Sequence, residues 1–344
     1  MKTVKKVKIV SLSSGSIGEP YAAHETDIGI KRLKEFGLDV TFSTNALKGK
    51  SFIKNHPEKR ADDLIEAFSD DCDMILCAIG GDDTYRLTPY LLDNDRLKNV
   101  LKDKIFLGFS DTTINHFVFN KLGFKTFYGQ SFLADLCELD TQMLPYSEKY
   151  FKELISTGGI SKVTPSDVWY EERESFDISA VGTKRRSHKN YGFELLNGPP
   201  VFSGKILGGC IESIHDMFYP DRYEDMPVIC EKYGLFPKAE DWCGKILLLE
   251  SSEEKPAPDL YEKTLNTLKA KGLFEALNGI LIGKPMDETY FDEYKTILKD
   301  AVKGTDLPLL SNINIGHATP RCIIPFGVNA TVDAEKQVIS FEGL

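Results

Sequence analysis

No apolar run in this chain of 344 residues approaches the 18 or so residues that a membrane span requires. Positive charge is the scarcer sign, 42 Lys and Arg against 52 Asp and Glu, for a formal net charge of −10. A chain this acidic carries no global footprint for DNA or RNA, so neither a nucleic-acid polymer nor a membrane is expected as partner. Cysteine is sparse and scattered: Cys72, Cys77, Cys137, Cys210, Cys230, Cys243 and Cys322 include no C-x-x-C pair. A disulfide framework or a structural zinc site is therefore not expected, and Cys77, inside Met-Ile-Leu-Cys-Ala-Ile, reads as a small buried hydrophobe. Internal repeats, low-complexity tracts and a G-x-x-x-x-G-K-[ST] phosphate loop are also missing. The opening residues carry positive charge, but Lys8 and Ser11 cut their apolar stretch short. They read as a first strand, not a secretory signal, and the expected location is cytoplasmic.

What is present is ordinary globular composition, 42% hydrophobic and 27% charged, in a length that favours two domains. The first 130 residues alternate short apolar runs (Val4–Leu12, Asp39–Ser43, Met74–Ile79, Ile105–Phe109) with helical patterns. In 57–69, Ala61, Leu64, Ile65 and Phe68 recur at i, i+3, i+4, i+7, one apolar face of a helix. This is βαβ texture, an α/β fold with a mostly parallel sheet. From 157 to 200 the periodicity fades into glycines and charge runs, Glu171-Glu-Arg-Glu and Lys184-Arg-Arg-Ser-His-Lys, the texture of a linker and active-site loop. A second αβ region follows, with Lys245–Glu250, Gly279–Gly283 and Leu309–Ile315 as strands. The tail, 322–328 and 337–341, reads as a closing hairpin. The expected division is 1–156, an N-terminal α/β domain; 157–200, the loop; and 201–344, a smaller C-terminal α/β domain.

Ligands in parallel sheets gather beyond the carboxyl ends of the strands, and the chemically unusual residues lie there. Ser110 stands between an apolar run and a helical pattern in Gly108-Phe-Ser110-Asp111-Thr112, the layout of a nucleophile elbow with Thr112 in place of a second glycine. The same serine and aspartate would also serve as helix caps. Gly80-Gly81-Asp82-Asp83 follows another buried run, where small residues let backbone amides approach a ligand. Gly-Gly-Asp-x-Thr also resembles the phosphate loop of nucleotide kinases, with Asp83 where that motif has glycine. Among six histidines only His317 directly follows an apolar strand; His116 reads as packing or surface. Glu250 ends an apolar run and could orient an imidazole, whereas Glu253 and Glu254 read as a solvated face.

Taken together, Ser13-Ser14-Gly15, Gly80-Gly81 with Leu87 and Pro89, Gly108 to Thr113, Gly208-Gly209, Leu249-Glu250, Gly316-His317 and Pro325-Phe-Gly327-Val328 resemble the LD-carboxypeptidase family of serine peptidases. The matches run in order from about residue 9 to 333. The resemblance implies an amidotransferase-like N-terminal domain, a distinct C-terminal domain and a cleft between them. It implies a Ser110–Glu250–His317 triad, an oxyanion hole from the backbone of Gly81, Asp82 and Asp111, and no metal or other cofactor. Trp169, Arg86 and Cys210 are the expected substrate-binding residues, and a homodimer is compatible with the family. Cys210 departs from the asparagine common after the glycine pair, and Ser251 from an aspartate after the acid.

One branch of this family trims murein tetrapeptides. Another resembles the microcin C immunity peptidase, which cuts an aminoacyl group from a modified nucleotide. The length of the chain, its 157–200 segment and the aromatic pair Trp169-Tyr170, a surface on which adenine could stack, favour an aminoacyl nucleotide as the small substrate. A nucleotide kinase and a non-catalytic ligand-binding protein are the rival classes.

Overall fold

The computed structural model describes residues 3–343. Its strands are β1 (Lys6–Val10), β2 (Asp39–Phe42), β3 (Met74–Cys77), β4 (Ile105–Gly108), β5 (Thr126–Tyr128), β6 (Lys162–Val163), β7 (Val168–Tyr170) and β8 (Ser187–Lys189). There follow β9 (Glu194–Asn197), β10 (Val201–Cys210), β11 (Lys245–Glu250), β12 (Gly279–Gly283), β13 (Leu309–Ile313), β14 (Ile324–Phe326), β15 (Asn329–Asp333) and β16 (Val338–Phe341). One sheet has the order β14-β5-β4-β3-β1-β2, and β1 to β5 are mutually parallel. A second sheet runs β6-β16-β15-β10-β11-β12-β13-β9 around a parallel core of β10 to β13. The fold is thus the expected α/β pair of domains, each with a parallel sheet.

Burial explains the local choices. β3 and β4 are buried at every position, as the continuous runs of a sheet covered on both faces require. The helix Pro57–Ser69 begins with proline in its first turn, where a missing N–H costs nothing, and turns Ala61, Leu64 and Phe68 fully into the core. It also carries Arg60 inward. That guanidinium reaches the Asp83 carboxylate at 2.6 Å and the carbonyls of Leu12 and Ser13 at 3.1 and 3.3 Å. The loops after β1 and β3 are therefore tied together by one buried cation. Asp83, which breaks the kinase motif, is here a structural anchor.

Two expectations fail. Residues 322–328 do not form the closing hairpin: β14 leaves the second domain and pairs with β5 in the first sheet, and the hairpin is β15 with β16. The apolar run marked a strand there but could not name its partner. Nor is 157–200 a free linker. β6 and β9 are the two edges of the second sheet, and β7 pairs with β8. The charge runs are not simply solvated: Arg173 and Arg185 both donate to the buried carboxylate of Glu138, which holds this arm on the first domain.

Asp83→Ala would leave the Arg60 guanidinium buried without its counter-ion. Equilibrium urea unfolding should show a loss of about 3–5 kcal/mol; a loss within 0.5 kcal/mol of zero, the range of ordinary surface substitutions, would contradict the anchor.

Candidate active site

The strand β4 ends at Gly108, and the chain turns so sharply that Ser110 adopts φ +66°, a conformation few non-glycine residues hold without support. The turn is held from below. A Cβ on Gly80 would stand 2.5 Å from the Ser110 Cβ and Oγ, so the loop after β3 must be glycine to lie against the serine. Asp111 accepts hydrogen bonds from Ser13 Oγ at 2.5 Å and Thr84 N–H at 2.9 Å, joining the loops after β1, β3 and β4. Burial pushes its carboxyl up to about 6, against these donors. Gly81, Asp82, Ser110 and Asp111 line one small cavity of about 30 Å³, room for a single water. A neighbouring cavity of about 290 Å³ shares Gly81, Asp82 and Arg222 with it and adds Lys50 and Lys54.

Glu250 and His317 come from the second sheet. β11 delivers Glu250 at its carboxyl end, and the loop between β13 and β14 delivers His317. The Glu250 Oε2 atom accepts from His317 Nδ1 at 2.7 Å and from the His317 backbone N–H at 3.1 Å. Gly316 permits this double grip: a side chain there would collide with the Glu250 carboxylate. The other carboxylate oxygen accepts from the Tyr128 hydroxyl at 2.5 Å, and that hydroxyl in turn receives the Ser110 N–H at 3.3 Å. Phe109 stands edge-on to the His317 ring, centroids 4.9 Å apart, with the Arg321 guanidinium 4.8 Å from its own centroid. Ser110 and the Glu250–His317 pair are thus joined through Tyr128 at the seam of the two sheets.

The Nε2 face of His317 holds a finding that the sequence did not announce. Its partner here is Glu253 Oε2 at 3.0 Å, not the Ser110 hydroxyl. The expectation that Glu253 belongs to a solvated face holds only for part of it; its side chain is 62% exposed, yet its tip lies on the imidazole. Burial would lower the imidazole's affinity for a proton, but the two carboxylates outweigh burial and push His317 up to about 10. The hydrogen bond from His317 holds Glu253 down at about 2.

The remaining candidates divide. Cys210 is register partner to Glu250 at the end of β10 and lines the Ser110 cavity. Trp169 is not on an open loop. It is a buried residue of β7 whose ring stacks on His188 with centroids 4.3 Å apart, so that face is already occupied. The strand nonetheless sits beside the site, since Tyr170 N–H donates to Thr319 O at 2.8 Å. Arg86 points elsewhere, its Nε on the Tyr85 hydroxyl at 3.1 Å and its guanidinium over Tyr223. His116 is packing, as expected, bonded to Thr126 and the Gly108 carbonyl. Tyr128 was missed, although its place at the end of the strand beside β4 was the available signal. Two larger grooves, about 730 and 550 Å³, lie away from these residues.

Residues 7–129 match the LD-carboxypeptidase N-terminal domain and residues 203–332 the LD-carboxypeptidase C-terminal domain. The fold superimposes on the crystal structure of an MccF-like protein from Streptococcus pneumoniae in complex with AMP, with TM-score 0.97, 62% identity, and 98% of this chain and 99% of that one covered. An MccF-like protein from Bacillus anthracis is 25% identical at TM-score 0.79, covering 99% of this chain and 97% of its own. The microcin C7 self-immunity protein of Escherichia coli is 25% identical over 91% of this chain and 86% of its own.

With two carboxylates facing it, the His317 ring should keep both protons through neutral pH. Nitrogen-detected NMR titration should place its midpoint near 10. Glu253→Gln removes one stabilising charge from the imidazolium, so that midpoint should fall by about 1 to 3 pH units. Cys210, Glu212 and Glu250 remain nearby in that variant, and an unmoved midpoint would show that Glu253 does not hold the ring.

Proposed function

This chain belongs to the LD-carboxypeptidase family and is a serine-type carboxypeptidase of the hydrolase class, and we propose that it cleaves the amide of a small aminoacyl nucleotide through Ser110, His317 and Glu250. The observation that carries this reading is a strained strand-end serine linked through Tyr128 to a buried Glu–His pair across the seam of two sheets.

In the proposed reaction Glu253 first swings off His317, which its exposed position allows. The freed Nε2 gives up its proton to solvent and faces Ser110. The Ser110 Oγ attacks the substrate carbonyl while Nε2 takes the hydroxyl proton. Glu250 keeps Nδ1–H oriented and stabilises the imidazolium that forms. Negative charge developing on the carbonyl oxygen meets the backbone amides of Gly81, Asp82 and Asp111, at the start of the helical segment after Ser110. His317 then returns the proton to the leaving nitrogen, the amide C–N bond breaks, and an ester to Ser110 remains. Water, deprotonated by the same imidazole, hydrolyses that ester and restores the serine.

The nucleotide part of the reading rests on likeness. The 290 Å³ cavity presents Lys50 and Lys54, beside an Arg222 already paired with Glu254 and Asp82, and Asp83 and Glu253 line it too. The relative from Streptococcus pneumoniae, 62% identical, was crystallised with AMP. No helix among the described residues is long and apolar enough to cross a membrane.

Purified protein offered an aminoacyl sulfamoyl adenosine and a murein tetrapeptide should hydrolyse the former. Preference for the tetrapeptide would move the substrate to the cell-wall branch. Ser110→Ala should lower turnover by about 10⁴-fold or more, and Glu250→Gln by about 10⁴-fold with the fold intact by circular dichroism. Residual activity near that of the unaltered enzyme in Ser110→Ala would remove it as nucleophile.

A further inference from the structure

We propose that Cys210, His317 and Glu250 form a binding site for a borderline-soft divalent cation of the zinc or cobalt type, and that an ion bound there silences the enzyme. No local spacing announces this set, which is why none was expected from the sequence. The sheet creates it: Cys210 and Glu250 are register partners at the ends of adjacent parallel strands, so their side chains leave the same face. The loop after β13 brings His317 over them. One donor atom from each of the three, a thiol sulfur, a carboxylate oxygen and an imidazole nitrogen, lies within 4.8 Å of the others.

Donors around tetrahedral zinc stand roughly 3.5 Å apart, so small side-chain rotations close the set. The donor types are those zinc and cobalt choose over magnesium or calcium. A fourth ligand is at hand, because Glu212 Oε2 is 3.3 Å from the Cys210 sulfur. The outer partner that fixes a ligating carboxylate is also present, since Tyr128 donates to the other oxygen of Glu250. Entry is through the cavity at Ser110, which Cys210 and Glu212 both line.

Binding exchanges protons for metal without oxidation. The Cys210 S–H proton and the His317 Nδ1 proton leave to solvent, and metal–sulfur and metal–nitrogen bonds replace them. The ion takes the place of the proton that His317 shares with Glu250. The acid can then no longer orient the imidazole, so hydrolysis stops. That consequence rests on the proposed triad, whereas binding itself does not.

The test uses the full chain, freed of metal by a chelator and titrated with Co²⁺. A thiolate-to-cobalt charge-transfer band should grow to saturation at one equivalent and be bleached by Zn²⁺. The band should vanish in Cys210→Ser and in Cys210→Ala, each shown folded by circular dichroism. It should survive in Cys243→Ser, which removes the exposed cysteine. Zn²⁺ should inhibit hydrolysis of the aminoacyl sulfamoyl adenosine by the unaltered protein, and at least 10-fold more Zn²⁺ should be needed against Cys210→Ser, measured relative to its own metal-free rate. Absence of the band, or its persistence in Cys210→Ser, overturns the site. A band lost in Cys210→Ser together with unimpaired hydrolysis under saturating Zn²⁺ overturns the silencing and the triad behind it, while the binding site stands.

Discussion

The charge pair between Glu250 and His317 sits where the two sheets meet, and the loops around the cleft are arranged to permit it. A carboxylate 1% exposed and an imidazolium 5% exposed are costly to bury singly, and removing one partner of such a pair typically costs about 3–5 kcal/mol. Each is therefore kept by the other and by further donors. Glu250 accepts three hydrogen bonds, from His317 Nδ1, the His317 amide and Tyr128. The covalent route reinforces the arrangement. The residues between β13 and β14 leave the second sheet and re-enter the first, so His317 is carried on a bridge fastened at both ends. Arg321 holds that bridge from beneath, pairing with Asp135 and donating to the His317 carbonyl.

Ser110, the proposed nucleophile, depends on the same seam. Its strained φ would relax if the turn were free, but Tyr128 receives its amide proton and the Gly80 backbone blocks the way on the opposite side. Tyr128 belongs to the first domain and its acceptor Glu250 to the second. The hydroxyl therefore couples the placement of the serine to the placement of the acid, a physical reason for the proposed triad, distributed over two domains, to stay assembled.

Legibility in the sequence followed how local each cause was. Runs buried on both faces, the amphipathic helix 57–69 and the strand-end positions of Ser110, Glu250 and His317 are effects of a few neighbouring residues, and they could be read directly. Partnerships across long separations could not. The pattern around Ile324–Phe326 marks a strand but is silent on whether it closes the second sheet or completes the first. Arg173, Arg185 and Glu138 look like surface charges until folding brings them together. Glu253 was misjudged for the same reason: three residues beyond Glu250, in a run of polar residues, it offers no local sign that an imidazole 64 positions away will meet it.

That misjudged residue is the most exposed of the groups that meet His317. Every other group on His317 is fixed, Glu250 by three donors and Phe109 by the stacked arginine. Glu253 has most of its side chain in solvent, on a short turn, where His317, a backbone amide and the charge of Arg222 act on its tip. The 1 to 3 pH units expected for Glu253→Gln correspond to about 1.4–4 kcal/mol, and water can take the place of this exposed carboxylate. Displacing Glu250 instead would strand a buried charge, at a cost of about 3–5 kcal/mol. In the proposed reaction the rearrangement falls to Glu253, so the imidazole loses a carboxylate at the moment it is to act as a base. The proton that His317 holds between its two carboxylates is the one that the proposed reaction has to remove first.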